Sequence, residues 1–328
     1  MVHLGDIQKR HRVLQRWEKQ RHGNAHWFAE CFAEFIGVFL YVYTGVGSQL
    51  LFILGGILKE QGLSSVFQTG AAYASGIIFA VILATPVSGG HLNPGITIAF
   101  VLTKGFPLVR ALRYLIAQIL GGYIACLLIY VQYHDLIKLA EGVLDLAGPG
   151  VLDATLFTPQ GPAGAFALYV MPGASLGRVF LNEFVCDVMI ALIIWCCLDP
   201  TNLLVPPFAS PVVIGLAYAV AVWGYSIEGL AANTARDLGG RLAALTIWGT
   251  KASGGKYAAI AALANIPATL MALALYELFL ADYARVITPS HLEIIRAHEN
   301  HARTPNRMMM GNSNRSTDKV ENEEVERV

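Results

Sequence analysis

The chain alternates between long apolar stretches and short polar connections, a spacing typical of a membrane protein. Crossing the hydrocarbon core of a bilayer takes roughly 20 helical residues. Six stretches reach this length, so the pattern predicts an all-α membrane protein with six transmembrane helices. They cover approximately residues 27–50, 66–87, 111–131, 178–198, 208–227 and 257–281.

Two further apolar segments, residues 93–103 and 233–248, differ from the six crossings. The first is too short to cross, and the second opens with the charged residues Arg236, Asp237 and Arg241. Each follows a glycine-containing turn and begins at an asparagine, a favoured helix N-cap. Irregular backbone at membrane depth is tolerated only where it is buried in protein or lines a water-filled path. Both segments are therefore predicted to be re-entrant half-helices that line a pore.

The two halves of the chain repeat one order of motifs. Glu34 opens the first crossing within A-E-F, and Glu183 opens the fourth within N-E-F. Asn93 and Asn233 then begin the two half-helices. Each half holds three crossings, an odd number, so the second half must be inserted upside down. Such an inverted repeat places the functional site at the membrane midplane, where the halves meet.

Charge along the chain predicts its orientation and its domain boundaries. Residues 1–26 are rich in lysine and arginine, whereas the loop at about 132–177 is mainly acidic, so the N-terminus is expected in the cytoplasm. Six crossings return the C-terminus to the same side. Residues 27–281 form the predicted channel domain, and residues 282–328 form a polar cytoplasmic tail that is expected to be disordered.

The basic N-terminal segment D-I-Q-K-R-H-R-V-L-Q-R-W-E-K-Q is predicted to form one amphipathic helix. Ile7, Leu14 and Trp17 would lie on its apolar side. We expect this helix to lie on the anionic inner leaflet, and a plug over the cytoplasmic mouth is the alternative.

Composition excludes several classes of function. The 23 basic and 23 acidic residues balance, so no nucleic-acid partner is indicated. All five cysteines fall in apolar stretches, which predicts packing thiols instead of disulfides or metal ligands. No nucleophile–base pair, metal-ligand spacing or phosphate-binding loop is apparent, so an enzyme, a metal site or a cofactor is not expected.

The motifs around the two asparagines resemble those of the major intrinsic proteins, the aquaporins and aquaglyceroporins. They read S-G-G-H-L-N-P-G at 88–95 and A-A-N-T-A-R-D-L-G at 231–239, and the resemblance covers about residues 27–281. It implies a homotetramer in the lipid of the plasma membrane with one pore per subunit. Each pore would pass water and small uncharged solutes such as glycerol or hydrogen peroxide, and would exclude protons and ions. A gated or non-conducting protein with an adhesion or assembly role is the alternative.

Two half-helices that meet at their N-termini would aim the positive ends of their dipoles at the midplane and repel cations. The side-chain oxygens of Asn93 and Asn233 would cap their own helices, which leaves each amide NH2 free to donate to a passing water. Carbonyl groups of the preceding turns would line the lumen as acceptors. They belong to Gly89, Gly90, His91, Leu92, Gly229, Leu230 and Ala231.

Distance from the asparagines and the family resemblance together imply an outer constriction of Tyr73, Ala221, Leu230 and Arg236. Narrow water-selective members carry a histidine where this chain has Ala221, so a wider and less polar opening is expected. A charge inside a membrane region indicates a functional role. The alternative for Arg236 is a salt bridge with Asp237.

Other positions resemble the aquaglyceroporin branch in particular. Asp237, Arg241 and Pro267 follow the pattern of that branch. Glu34 and Glu183 resemble the buried carboxylates that hold the re-entrant turns in place, and a proton-linked role is the alternative.

Both asparagine motifs depart from the usual family triplet, Asn-Pro-Ala. The triplets here are Asn93-Pro94-Gly95 and Asn233-Thr234-Ala235. Proline at a first helical position fixes φ and lacks an N–H that would be unsatisfied anyway. Thr234 adds an amide donor and a hydroxyl, and Gly95 removes a methyl from the place where the motifs are expected to pack. A looser junction with altered water selectivity is expected, with tolerated drift as the alternative.

Overall fold

The structure is a computed structural model that describes residues 4–8, 10–60, 62–297 and 299. Its internal contacts divide the chain into two compact units, residues 1–28 with 287–328 and residues 29–286. Regular elements among the described residues are all helical. In chain order, the α-helices are α1 (Leu4–Ile7), α2 (Arg12–Arg21), α3 (His26–Leu58), α4 (Val66–Ser88), α5 (Pro94–Thr103), α6 (Leu108–Gln132), α7 (His134–Leu146), α8 (Val151–Thr155), α9 (Ala163–Phe166), α10 (Leu176–Leu198), α11 (Ser210–Tyr225), α12 (Thr234–Trp248), α13 (Tyr257–Leu263) and α14 (Asn265–Phe279).

The six predicted crossings are all present as apolar helices. By length and composition, α3, α4, α6, α10 and the pair α13–α14 can each span a membrane. The remaining crossing, α11, is a shorter apolar helix of 16 residues. These helices leave large apolar side chains such as Phe79, Ile116 and Val131 exposed, as a lipid-facing surface requires. Together with the half-helices α5 and α12, they confirm the predicted all-α fold.

Packing interleaves the two halves of the chain. Helix α4 packs against α11, and α10 packs against α14, while half-helix α5 lies between α6 and α14. Half-helix α12 packs against α6 and α13 and also contacts α5. Each half-helix is therefore held by crossings from both halves, which brings its N-terminus to the middle of the unit.

The last crossing runs as one span over Tyr257–Phe279, close to the predicted 257–281. Ala264 separates α13 from α14 as a single turn residue, and its φ of −61° and ψ of −32° are still helical. Pro267 accounts for this local irregularity, because proline has no N–H to donate and its ring crowds the carbonyl four residues earlier. The irregularity lies next to Asn265, a buried residue that contacts the second pore turn.

The loop predicted at about 132–177 contains structure of its own. Helices α7, α8 and α9 lie within it. At its inner end Phe166 is fully buried, and its carbonyl lies against Gly240 of α12 in the space that a side chain there would fill. The absence of a side chain at Gly240 thus lets the loop reach the half-helix.

In the smaller unit, the basic segment forms two helices instead of the one predicted. His11 accepts from the amide of Val13 at 3.4 Å and caps α2, so α1 and α2 are separate. The expected disorder does not extend to residues 289–297, which are helical. Thr288 begins that segment with a 2.7 Å hydrogen bond to His291. The rest of the predicted tail, residues 300–328, lies outside the described residues.

Candidate functional site

The first pore turn is anchored by the carboxylate of Glu34. One oxygen accepts from the amide of His91 at 2.9 Å, and the other accepts from the amide of Leu92 at 2.7 Å. The side chains of Ser88 and Gln118 donate to the same carboxylate at 2.6 and 2.7 Å. Four donors therefore compensate a fully buried acid, which would otherwise be costly.

The second turn has an equivalent anchor in Glu183. Its oxygens accept from the amide of Ala231 at 2.9–3.0 Å and from that of Ala232 at 2.7 Å. The last residue of each turn before the asparagine, Leu92 in one and Ala232 in the other, has a positive φ of 53° and 54°. Side chains other than glycine rarely adopt this conformation, so the carboxylates hold both turns in a strained form.

The two asparagines cap the half-helices as predicted from their position. Asn93 accepts from the amide of Gly95 at 2.7 Å, and Asn233 accepts from that of Ala235 at 2.8 Å. The amide group of Asn233, however, is not fully free, because it donates to the carbonyl of Leu92 at 2.9 Å. This bond joins the two turns directly and uses one of the two lone pairs of the Leu92 carbonyl.

The other predicted carbonyl positions fall into two groups. Gly229, Leu230 and Ala231 line a cavity of about 350 Å³, together with Ala232 and Asn233. In the first turn, Gly89 is exposed and Gly90 is partly exposed, but neither lines this cavity. The ring of His91 is buried among Phe100, Phe106 and Tyr114, away from the cavity lining.

Arg236 is 2% exposed and is held by oxygen atoms from four other residues. Its guanidinium donates to the Tyr73 hydroxyl at 3.0 and 3.2 Å and to the Gln49 side chain at 3.1 Å. The carbonyls of Ala165 and Phe166 accept at 3.0 and 2.6 Å. The network includes no acid, so it fixes a positive charge beside the cavity without neutralising it.

Three of the four predicted constriction residues lie together. Tyr73, Leu230 and Arg236 all line the cavity. Ala221 is fully buried and is not among the residues that line the cavity. From the same helix, α11, Tyr218 and Val222 do line it. The distance from Asn233 therefore selected the correct turn of α11 but not the side chain that faces the cavity.

Asp237 pairs with Arg241, and not with Arg236 as the alternative interpretation held. The carboxylate of Asp237 accepts from Arg241 at 2.7 and 3.0 Å. Arg241 also donates to the carbonyls of Leu168 and Ser253 at 3.0 and 3.2 Å. This buried pair ties the loop at 132–177 to α12 and leaves Arg236 as the charge at the cavity.

The space beside Gly95 is filled from the last crossing. A Cβ atom on Gly95 would lie 2.8 Å from both Asn265 Oδ1 and Thr269 Oγ1. Neither oxygen has a hydrogen-bond partner among the described residues. The Asn265 amide donates to the carbonyl of Ala232 at 3.2 Å, so one side chain contacts both turns. Gly95 therefore does not leave the junction open, contrary to the expectation from the triplet.

In the second triplet, Thr234 and Ala235 are both buried. The hydroxyl of Thr234 has no hydrogen-bond partner among the described residues. The equivalent position in the first triplet is Pro94, which begins α5. Half-helix α5 thus begins with a proline, whereas α12 begins with a threonine that has an amide N–H and a hydroxyl.

Three functional candidates were missed from the sequence: Gln49, Tyr218 and Asn265. Each lies in a helix that is apolar around its whole circumference, so periodicity gives no sign of which side faces the cavity. Their polar side chains within apolar stretches were the available signal. A group of three or more acidic, histidine or cysteine side chains suited to a metal is absent from the part of the chain that the structure describes.

Comparison with known proteins agrees with this geometry. Residues 22–251 match the family model of the major intrinsic proteins. Aquaporin-3 of Laccaria bicolor is 54% identical over 305 residues, which are 92% of each chain. Aquaglyceroporin-2 of Rhizophagus irregularis is 31% identical over 217 residues, 66% of this chain and 64% of that protein.

A solved structure shows the same fold. The X-ray structure of the aquaglyceroporin from Plasmodium falciparum matches with a TM-score of 0.65 and 22% identity, over 78% of this chain and 97% of that chain. Together with the paired half-helices and the buried Arg236, these matches establish that the chain belongs to the major intrinsic protein family, whose members are multi-pass membrane channels for water and small solutes and are not enzymes.

Proposed function

We propose that this protein is a passive channel that passes water and uncharged solutes of the size of hydrogen peroxide or glycerol and excludes protons and ions. The observation that carries the proposal is the fixed guanidinium of Arg236 at the cavity. A charge that is held by neutral oxygens alone keeps its positive potential, which raises the barrier to cations. The N-termini of α5 and α12 add potential of the same sign at the midplane.

The walls of the cavity support passage of solutes larger than water. Besides Arg236 they are mostly apolar and include the ring of Tyr73 and the side chains of Val222 and Leu230. Glycerol can place its carbon backbone against such a wall, and both glycerol and hydrogen peroxide can exchange hydrogen bonds with the Arg236 network. No step in this transport needs a cofactor.

The proposed arrangement in the cell follows from charge and surface. The basic N-terminus faces the cytoplasm, as does the C-terminus, and the plasma membrane is the proposed location. The exposed apolar side chains of the crossings fit lipid and the neighbouring subunits of a homotetramer. Crosslinking of the protein in native membranes tests the four-subunit assembly.

Flux through purified protein in lipid vesicles tests the function. We expect osmotic water flux by stopped-flow light scattering, uptake of glycerol or peroxide, and no entry of protons or alkali cations. Arg236→Val should retain neutral flux and admit cations, because the fixed charge is removed. Val220→Ala is the matched control, since Val220 is 44% exposed on α11 and does not line the cavity. Proton flux through the unmodified protein comparable to its water flux would contradict the proposal.

A further inference from the structure

A second cavity, of about 620 Å³, lies along α10 and is separate from the cavity beside Arg236. Among the described residues, none lines both. It opens on a side of α10 where Leu181 is 60% exposed and Val185 is 56% exposed. A volume of several hundred Å³ is typical of sites that hold small ligands. We call this cavity the α10 groove.

The α10 groove changes from polar to apolar along the helix. Arg178 and Asn182 line it near the N-terminus of α10, and Arg178 is the single ionised side chain among the described residues of the lining. Leu181, Val185 and Met189 continue the lining at intervals of four residues. Residues four apart lie on the same face of a helix, so these three side chains form one apolar stripe that leads away from the arginine.

The length of the α10 groove matches the depth of one leaflet. From Arg178 to Met189 the helix rises about 16 Å, at about 1.5 Å per residue. This is close to half of the hydrocarbon core, which is about 30 Å thick. Asn182 donates to the carbonyl of Gly229 at 3.3 Å, so the groove lies beside the pore turn that leads to Asn233 at the midplane. Arg178 therefore lies at the level of the lipid headgroups, and Met189 lies near the middle of the bilayer.

We propose that the α10 groove binds one glycerophospholipid, with its phosphate on Arg178 and an acyl chain along Leu181, Val185 and Met189. The guanidinium group is a planar fork of donors that matches a phosphate in a bidentate manner. The apolar stripe gives the acyl chain a surface of the same length and direction. This lipid site is additional to the proposed channel function and does not depend on it.

Other occupants fit the α10 groove less well. A soluble anion would contact Arg178 and leave the apolar stripe uncovered. A second copy of this chain would have to bring an acidic side chain to Arg178 at the headgroup level. A phospholipid carries its phosphate and its apolar chain in the order, and at the spacing, that the groove provides.

Two substitutions test the two ends of the α10 groove. Arg178→Gln removes the charge, and Val185→Trp fills the apolar stripe. Lys256→Gln is the matched control for the first, because Lys256 is exposed immediately before α13 and does not line the groove. Val220→Trp is the matched control for the second, because Val220 is 44% exposed on α11 and lines neither cavity.

The experiment titrates the purified, delipidated full chain with palmitoyl-oleoyl phosphatidylglycerol and counts bound lipid by native mass spectrometry. Each substitution in the groove should weaken the tightest lipid about fivefold or more, and each control should stay within about twofold of wild type. Diacylglycerol with the same acyl chains has no phosphate, so it should bind wild type about as weakly as the phospholipid binds Arg178→Gln.

Equal affinity of wild type and Arg178→Gln for the phospholipid would overturn the inference. So would equal affinity of wild type for the phospholipid and for diacylglycerol, a comparison that also decides if a variant fails to fold. If Val185→Trp instead separates the subunits and leaves lipid binding unchanged, the groove belongs to an interface between copies of the chain and the lipid site is refuted.

Discussion

Restoring the common triplet at Gly95 tests whether the first asparagine motif is shaped by its neighbours in the last crossing. The change Gly95→Ala adds one methyl group at the second residue of α5. In the structure this carbon would lie 2.8 Å from Asn265 Oδ1, 2.8 Å from Thr269 Oγ1 and 3.2 Å from the Asn265 carbonyl. All three contacts are closer than ordinary van der Waals separation, so α5 or α14 must move.

Two opposed contributions set the change that Gly95→Ala makes in the free energy of unfolding. Adding a methyl to a packed interior typically costs about 1–3 kcal/mol. Alanine is a better helix former than glycine by up to about 1 kcal/mol, which offsets part of this cost. We therefore expect a net loss of about 1–2 kcal/mol, or a fall in Tm of about 2–8 °C at the roughly 2–4 °C per kcal/mol typical of large domains.

The assay is thermal unfolding of the purified protein in detergent, with vesicle flux measured on the same preparations. Thr269→Ala in the Gly95→Ala background removes one of the two closest oxygens and should recover part of the lost stability. Thr269→Val is the matched control, since it replaces the hydroxyl by a methyl of similar size and should recover nothing. An unchanged or higher Tm for Gly95→Ala would refute the reasoning and show that the space beside Gly95 is open.

Two further substitutions test the other contacts of the site. Glu183→Gln should cost about 1–3 kcal/mol, because its NH2 group replaces the oxygen that accepts only from the Ala231 amide, which sets two buried donors against each other; a Tm equal to that of wild type would contradict the anchoring role. Gln49→Leu removes one acceptor from Arg236. Water flux should stay within about twofold, because the net contribution of one hydrogen bond is only about 1 kcal/mol. Cation leakage, measured with an ion-sensitive dye, should become detectable. Cation exclusion as complete as in wild type would show that Tyr73 and the loop carbonyls hold Arg236 without Gln49.

Features with a local chemical signature could be predicted from the sequence. The lengths of the apolar stretches indicated the crossings, and Asn93 and Asn233 marked the half-helices because asparagine after a glycine turn is a helix start. Glu34 and Glu183 stood out because an acid in an apolar helix needs donors, which the turns supply. In each case the residue and the sequence signal that identifies it lie within one short segment.

Features that depend on helix rotation could not be predicted in the same way. Helix α11 is apolar on all sides, so the distance from Asn233 pointed to Ala221 although Tyr218 and Val222 face the cavity. The contacts of Arg236 with Ala165 and Phe166 depend on the course of a long loop, which periodicity does not describe. Pro267 marks the branch through the family resemblance, whereas the single turn residue beside it, Ala264, follows from the N–H that proline lacks.

The two departures from Asn-Pro-Ala differ in kind once their surroundings are considered. Gly95 is matched by Asn265 and Thr269, so the missing methyl and the two polar side chains form one packing arrangement across the two halves of the chain. Thr234 has no such match, because its buried hydroxyl lacks a partner among the described residues. The extended backbone of Asn233, with φ of −164° and ψ of 121°, also suits a following proline. Thr234→Pro should therefore be tolerated where Gly95→Ala is not, which locates the structural constraint in the first motif and the last crossing.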